Sequence, residues 1–165
     1  MAGKCGEVEL NQIGNGASLN STIEKFGYPA TLVQEYAYWV VLARPAQLTL
    51  GSLIVAAKSE LTDFGALPAA YFAELKQVAA DISSASQTLV RHEKLNWLML
   101  MMVDPHVHFH LFPRYQGSRQ AAGLQIEDQD WPGPPDVKKS TILSDSQVSA
   151  LVRSLQAIWP KSIAM

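Results

Sequence analysis

With one cysteine in 165 residues, Cys5, this chain has no internal disulfide and no cysteine-based zinc site to hold it together. That fits a reducing compartment. No stretch approaches the ~20 apolar residues that cross a bilayer, and the opening MAGKCGEVELNQIGNG lacks the apolar run of a secretory signal. A cytoplasmic chain without a membrane partner is expected. Basic residues are not in excess either. The 13 Lys and Arg against 15 Asp and Glu leave a formal net charge of −2, so nothing broad favours a nucleic acid polymer. Internal repeats and low-complexity tracts are also missing. What remains is 48% hydrophobic and 17% charged residues at the length of one ordinary domain, expected to span 1–165.

Residues 1–27 are polar and glycine-punctuated and read as peripheral, with a short helix around 19–25 that Gly27 ends. From Thr31 the pattern changes. Tyr38-Trp39-Val40-Val41-Leu42-Ala43 and Leu53-Ile54-Val55-Ala56-Ala57 are short apolar runs split by Pro45 and Gly51, as in neighbouring strands. Tyr71, Leu75, Val78, Ile82, Ala85 and Leu89 recur at helical spacing after Pro68. Two strands are expected next, over 94–103 and 106–112, joined tightly at Asp104-Pro105. Ser144 and Gln147 have capping-box spacing ahead of Val148, Leu151, Val152, Leu155 and Ile158, a second helix that Pro160 stops. Between them, 115–141 shows no clear periodicity and reads as an ordered functional loop or extended arm that Trp131 could anchor.

Three of the four histidines fall in Pro105-His106-Val107-His108-Phe109-His110-Leu111-Phe112-Pro113-Arg114. In a strand, His106, His108 and His110 share one face while Val107, Phe109 and Leu111 pack on the other. A half-buried strand with incidental imidazoles accounts well for one histidine but poorly for three in register. Imidazoles two residues apart can also meet one zinc or copper ion, but the fourth histidine, His92, sits apart at the end of the first long helix. An imidazole with its reference pKa of about 6.5 is largely neutral and nucleophilic at cellular pH without special activation.

His-Val-His-Phe-His-Leu-Phe, followed by Pro113-Arg114, resembles the histidine triad motif, and the likeness extends loosely over about 38–114. The resemblance implies an α+β fold with a five-stranded antiparallel sheet and two main helices. The triad-bearing core would run over about 31–114, with an N-terminal extension at 1–30 and a loop and helix at 115–165. It further implies a homodimer acting on nucleotide-type small molecules, with His108 as nucleophile, a nucleotidyl-histidine intermediate, and no metal or other cofactor. His106 would orient His108 or anchor the turn, and His110 would contact phosphorus oxygens or serve the leaving group. Relatives that transfer nucleotides between sugars carry glutamine at the third position, so His110 favours a hydrolase.

Three further residues bear on substrate. Where the family commonly has another histidine on an earlier strand, this chain has Ser52 after Gly51, and where relatives hold the ribose it has Arg44, suited to a phosphate or to capping a turn. Asn96 lies near the place of an amide that contacts phosphate. The Met99-Leu100-Met101-Met102 run reads as core or pocket lining, and Trp39 and Trp97 as core aromatics. The rival readings are a non-catalytic nucleotide-binding or interaction protein on the same fold, and a metal-dependent hydrolase.

Overall fold

Trp39–Ala43 and Leu53–Ala57 are buried at every position, and a strand of that kind needs cover on both faces. The computed structural model, which describes residues 19–161, puts them at the centre of a five-stranded antiparallel sheet. In chain order its elements are α1 (Ser21–Lys25), β1 (Leu32–Glu35), β2 (Trp39–Ala43), β3 (Ala46–Gln47), β4 (Leu53–Ala57), a 3₁₀ turn (Phe64–Ala66), α2 (Ala69–Val90), β5 (Lys94–Leu98), β6 (His108–Arg114), β7 (Ser118–Ala121), β8 (Leu124–Glu127), β9 (Thr141–Ile142) and α3 (Asp145–Ile158). The sheet runs β1-β2-β4-β6-β5, and β3-β9 and β7-β8 form separate ribbons.

The alternation of side chains divides the sheet into two unequal packing faces. Trp39, Val41, Leu53, Val55 and Leu111 meet Val78, Ile82 and Ala85 of α2 and Leu151, Val152 and Leu155 of α3 in the main core. Trp39 also donates its indole N–H to the Tyr71 carbonyl at 2.8 Å. The capping box forms as its spacing predicts: Ser144 Oγ accepts from the Gln147 N–H, and the Gln147 side chain accepts from the Ser144 N–H. On the opposite face Val40, Leu42, Ile54 and Ala56 pack under Ile23, Phe26, Tyr28 and Leu32.

That second cluster corrects the peripheral reading of residues 1–27 over their described part, 19–27. Asn20, Thr22 and Ile23 are buried, and Asn20 Nδ2 donates to the carbonyls of Ala57 and Ser59. The short helix is therefore part of the fold. Residues 1–18, with Cys5, lie outside the described residues.

Three other expectations are corrected. The strand expected over 94–103 ends at Leu98, whose partner is His110, and Met101 then takes a positive φ of 46° that no strand continues through. The connection to β6 is a nine-residue loop, 99–107, rather than a tight turn at Asp104-Pro105. Just before β6, Val107 bonds back to Ala57 and Leu61, so residues 99–103 have no neighbouring strand to pair with. Their tip is exposed: Met102 is 84% and Val103 82% accessible. Within 115–141 a hairpin stands where no periodicity was evident. Ala122 and Gly123, both with positive φ, make the two-residue turn that matches strand twist, and Leu124 and Ile126 turn inward.

Candidate active site

β6 is the strand that brings the imidazoles to the thinner face. His108 pairs with Ala56 and His110 with Ile54, so both rings rise beside the Ile23 cluster. His106 lies before the strand begins, and the expectation of three histidines on one strand face holds for two of them. The His106 side chain turns aside instead: Nδ1 lies 2.9 Å from Thr22 Oγ1 and Nε2 lies 3.1 Å from Glu60 Oε2. It is the main chain of His106 that serves the centre. Its carbonyl accepts from His108 Nδ1 at 2.8 Å, which fixes the proton of a neutral His108 on Nδ1 and leaves the lone pair on Nε2.

His108 Nε2 lies 3.3 Å from His110 Nε2. With its lone pair there, His108 can only accept, so the network assigns the proton to His110 Nε2. His110 is held in its neutral form, its pKa pushed down to about 4, chiefly by burial and then by His108 and Arg44, with Asp104 opposing. Its Nδ1 is buried without a partner among the described residues. Phe112 stacks on the His110 ring at 6.4 Å, and the Arg44 guanidinium sits over Phe112 at 5.7 Å. A row of side chains thus runs His108, His110, Phe112, Arg44. Arg44 donates to the Ala46 carbonyl and, at 3.0 Å, to Ser140 Oγ. No carboxylate among the described residues pairs with it. Burial lowers its pKa.

The other two sequence candidates lie apart. Ser52 is fully buried, and its Oγ donates to the Thr49 carbonyl at 2.6 Å and accepts from the Thr49 N–H. That hydroxyl is spent inside the turn before β4, which corrects its reading as a substrate contact. Asn96 Oδ1 accepts from Arg114 Nη1 at 2.8 Å. Arg114 is itself locked in a buried two-point pair with Asp128 and donates to the Gly133 carbonyl. Asn96 therefore belongs to a groove of about 880 Å³ between β5 and residues 131–135. Trp131 lines that groove half-buried, as does Trp97.

Sequence reading passed over Thr22 and Phe26, while its reading of the methionine run as core or pocket lining holds for Leu100, Met101 and Met102. Phe26 lies 5.4 Å from the His108 ring and 5.7 Å from His110. Residues Leu100, Met101, Met102, Val103 and Asp104 wall a cavity of about 130 Å³ beside both imidazoles. Thr22 and Phe26 stand more than 80 residues from the histidines they touch, a separation at which no local pattern signals contact. Among the described residues no three His, Cys, Asp or Glu side chains are grouped so as to hold a metal ion, and no helix is long and apolar enough to cross a membrane.

No protein-family model and no curated protein matches the chain. Solved structures do. A histidine triad protein of Bradyrhizobium japonicum is similar at a TM-score of 0.65 and 20% identity, over 86% of this chain and 98% of that one. A histidine triad protein of Sinorhizobium meliloti gives 0.66 and 15%, over 86% and 96%. The diadenosine triphosphate hydrolase of Plasmodium falciparum gives 0.59 and 10%, over 78% and 76%. With His106, His108 and His110 placed as described, the chain has the histidine triad fold.

Proposed function

We propose that this chain hydrolyses nucleotide phosphorus esters or amides through a nucleotidyl-histidine intermediate on His108. The observation that carries the reading is the 2.8 Å bond from His108 Nδ1 to the His106 carbonyl, because it leaves Nε2 of a neutral His108, a residue that lines the cavity, unprotonated. Attack by that lone pair on phosphorus forms the P–N bond as the bond to the leaving oxygen or nitrogen breaks. The positive charge left on the imidazole is shared with the His106 carbonyl through Nδ1–H. His110, neutral and next to Nε2, is placed to give its Nε2–H to a phosphorus oxygen or to the leaving atom. Water then cleaves the P–N bond, frees the nucleotide and restores His108.

Arg44, with no acid partner, supplies a positive end to the row for phosphate. Asn96 is assigned to the neighbouring groove, where its Nδ2 has no partner among the described residues. A panel of dinucleoside polyphosphates, nucleoside phosphoramidates and acylated nucleotides, read by product mass, tests the proposal: a nucleoside monophosphate is expected from at least one. A non-catalytic nucleotide-binding protein is the second reading, and His108 at 1% exposure favours it; binding without release of product across the panel would establish it. We further propose a homodimer, since β5 ends the sheet with an unpaired edge. Light scattering should return twice 18.1 kDa, and a concentration-independent mass of one chain would defeat it.

A further inference from the structure

We propose that Lys25 and Asp104 form a latch across His108, and that an anionic substrate opens it by taking the Lys25 ammonium from the Asp104 carboxylate.

The latch follows from what closes the centre. His108 is buried to 1% exposure, and the cavity beside it holds about 130 Å³, well below the roughly 300 Å³ at which small-molecule sites begin. A nucleotide reaches Nε2 only if a wall moves. One wall is Phe26, against both rings. The other is the 100–104 loop, which sits on the main core through Met101 and is exposed at its tip, Met102 and Val103. Among the described residues one ion pair joins the two walls, Lys25 Nζ to Asp104 Oδ1 at 2.5 Å. The rest of α1 is anchored: Asn20 bonds the end of β4 and the residues after it, and Thr22 bonds His106. Phe26 is held too, its carbonyl accepting from Thr31 Oγ1 at 2.9 Å and its ring packed in the second cluster, so the part left to move is the Lys25 side chain and the loop tip at 102–104.

The same pair explains how a substrate would work the latch. Lys25 is 55% exposed while Asp104 is 18% exposed and lines the cavity, so the ammonium stands at the mouth, one carboxylate away from the imidazoles. An exposed pair of this kind is a weak tie. A di- or polyphosphate entering beside Asp104 meets a like charge and, next to it, a lysine it can claim. The exchange of partners leaves the lysine on the ligand and the loop released. This second half rests on the nucleotide reading above, and the latch itself does not.

Two measurements on the full chain test the two halves. Labelling of His108 by diethyl pyrocarbonate, followed by peptide mass, reads access without requiring turnover. Lys25→Ala and Asp104→Asn should each speed it by up to about fivefold, the scale of an exposed ion pair, and the double swap Lys25→Asp/Asp104→Lys should return it toward the native rate. Unchanged labelling in folded single variants, or no slowing in the swap, overturns the latch. Calorimetry with adenosine and ADP then reads the exchange. The affinity gained from adenosine to ADP should shrink in Lys25→Ala and grow in Asp104→Asn, and an equal gain in all three proteins overturns it. If native protein binds no ADP, the nucleotide reading and the exchange fall together, while the labelling still decides the latch.

Discussion

The two faces of the five-stranded sheet are covered by different kinds of structure. One lies under α2 and α3, two amphipathic helices whose apolar stripes fill a continuous core. The other lies under five residues of helix, the Phe26, Tyr28 and Leu32 side chains that follow it, and a loop with an exposed tip. The first face holds the fold and the second holds the imidazoles. A chemical group on the thick face would be sealed by helices that cannot part without unfolding, whereas the thin face has cover light enough to move. β6 joins the two, since Leu111 points into the main core while His108 and His110 point away from it.

If that division is right, one substitution on each face should separate chemistry from stability. His108→Ala should abolish turnover, by more than the roughly 10²- to 10⁴-fold typical of one acid–base group, because no stepwise route remains. Its thermal midpoint should stay close to native. Leu151→Ala, in the main core, should destabilise by about 2–5 kcal/mol through the cavity left behind and leave kcat of the folded fraction unchanged. Denaturant titration beside single-turnover kinetics checks both, and a reversal of the two outcomes would break the comparison.

Arg114 tests whether the thin face extends to the β5 groove. Removing its guanidinium would leave Asp128 buried and unpaired and free the Gly133 carbonyl and Asn96. Arg114→Ala should cost about 3–5 kcal/mol and loosen residues 128–136, read as faster proteolysis there than in α2. Uniform protection would mean that the groove is held by other contacts.

A smaller effect comes from pH. His110 has a folded pKa of about 4, pushed down chiefly by burial, against about 6.5 for a free imidazole. The unfolded chain therefore binds the proton first as pH falls. The stability that neutral His110 supports is complete above about 6.5 and is lost progressively toward pH 4. His110→Asn should flatten that part of the stability profile, measured by denaturant midpoints between pH 7 and 4. A profile identical to native would contradict the placement of His110 as a buried neutral ring.

How much of this was legible in the sequence follows the same division. The thick face was written in local periodicity: the α2 stripe, the capping box at Ser144 and the all-apolar runs of β2 and β4 are each contained within one element. The alternation of His108 and His110 was legible for the same reason. The cover of the thin face was not, because Thr22, Phe26 and Lys25 act through partners about 80 residues away. Two misreadings had local causes. The apolar run from Met99 to Val103 reads as a strand, yet β6 offers it no partner beyond Leu98. In the 115–141 segment the signals were present, in Ala122-Gly123 and in the alternation of Leu124 with Ile126, and were diluted by the irregular residues after Asp128. Ser52 was placed by analogy with a ligand position, and only the turn geometry shows its hydroxyl already satisfied.

The central claim is that His108 Nε2 becomes covalently bound to the substrate's phosphorus. The most direct measurement mixes native protein with whichever nucleotidyl compound it turns over, and quenches on the millisecond scale in alkali to preserve the acid-labile P–N bond. Peptide mass then locates any added nucleotidyl group. The account predicts an adduct on the peptide containing His108, localised to that residue and absent in His108→Ala. An adduct on another residue, or near-normal turnover in His108→Ala, would contradict it.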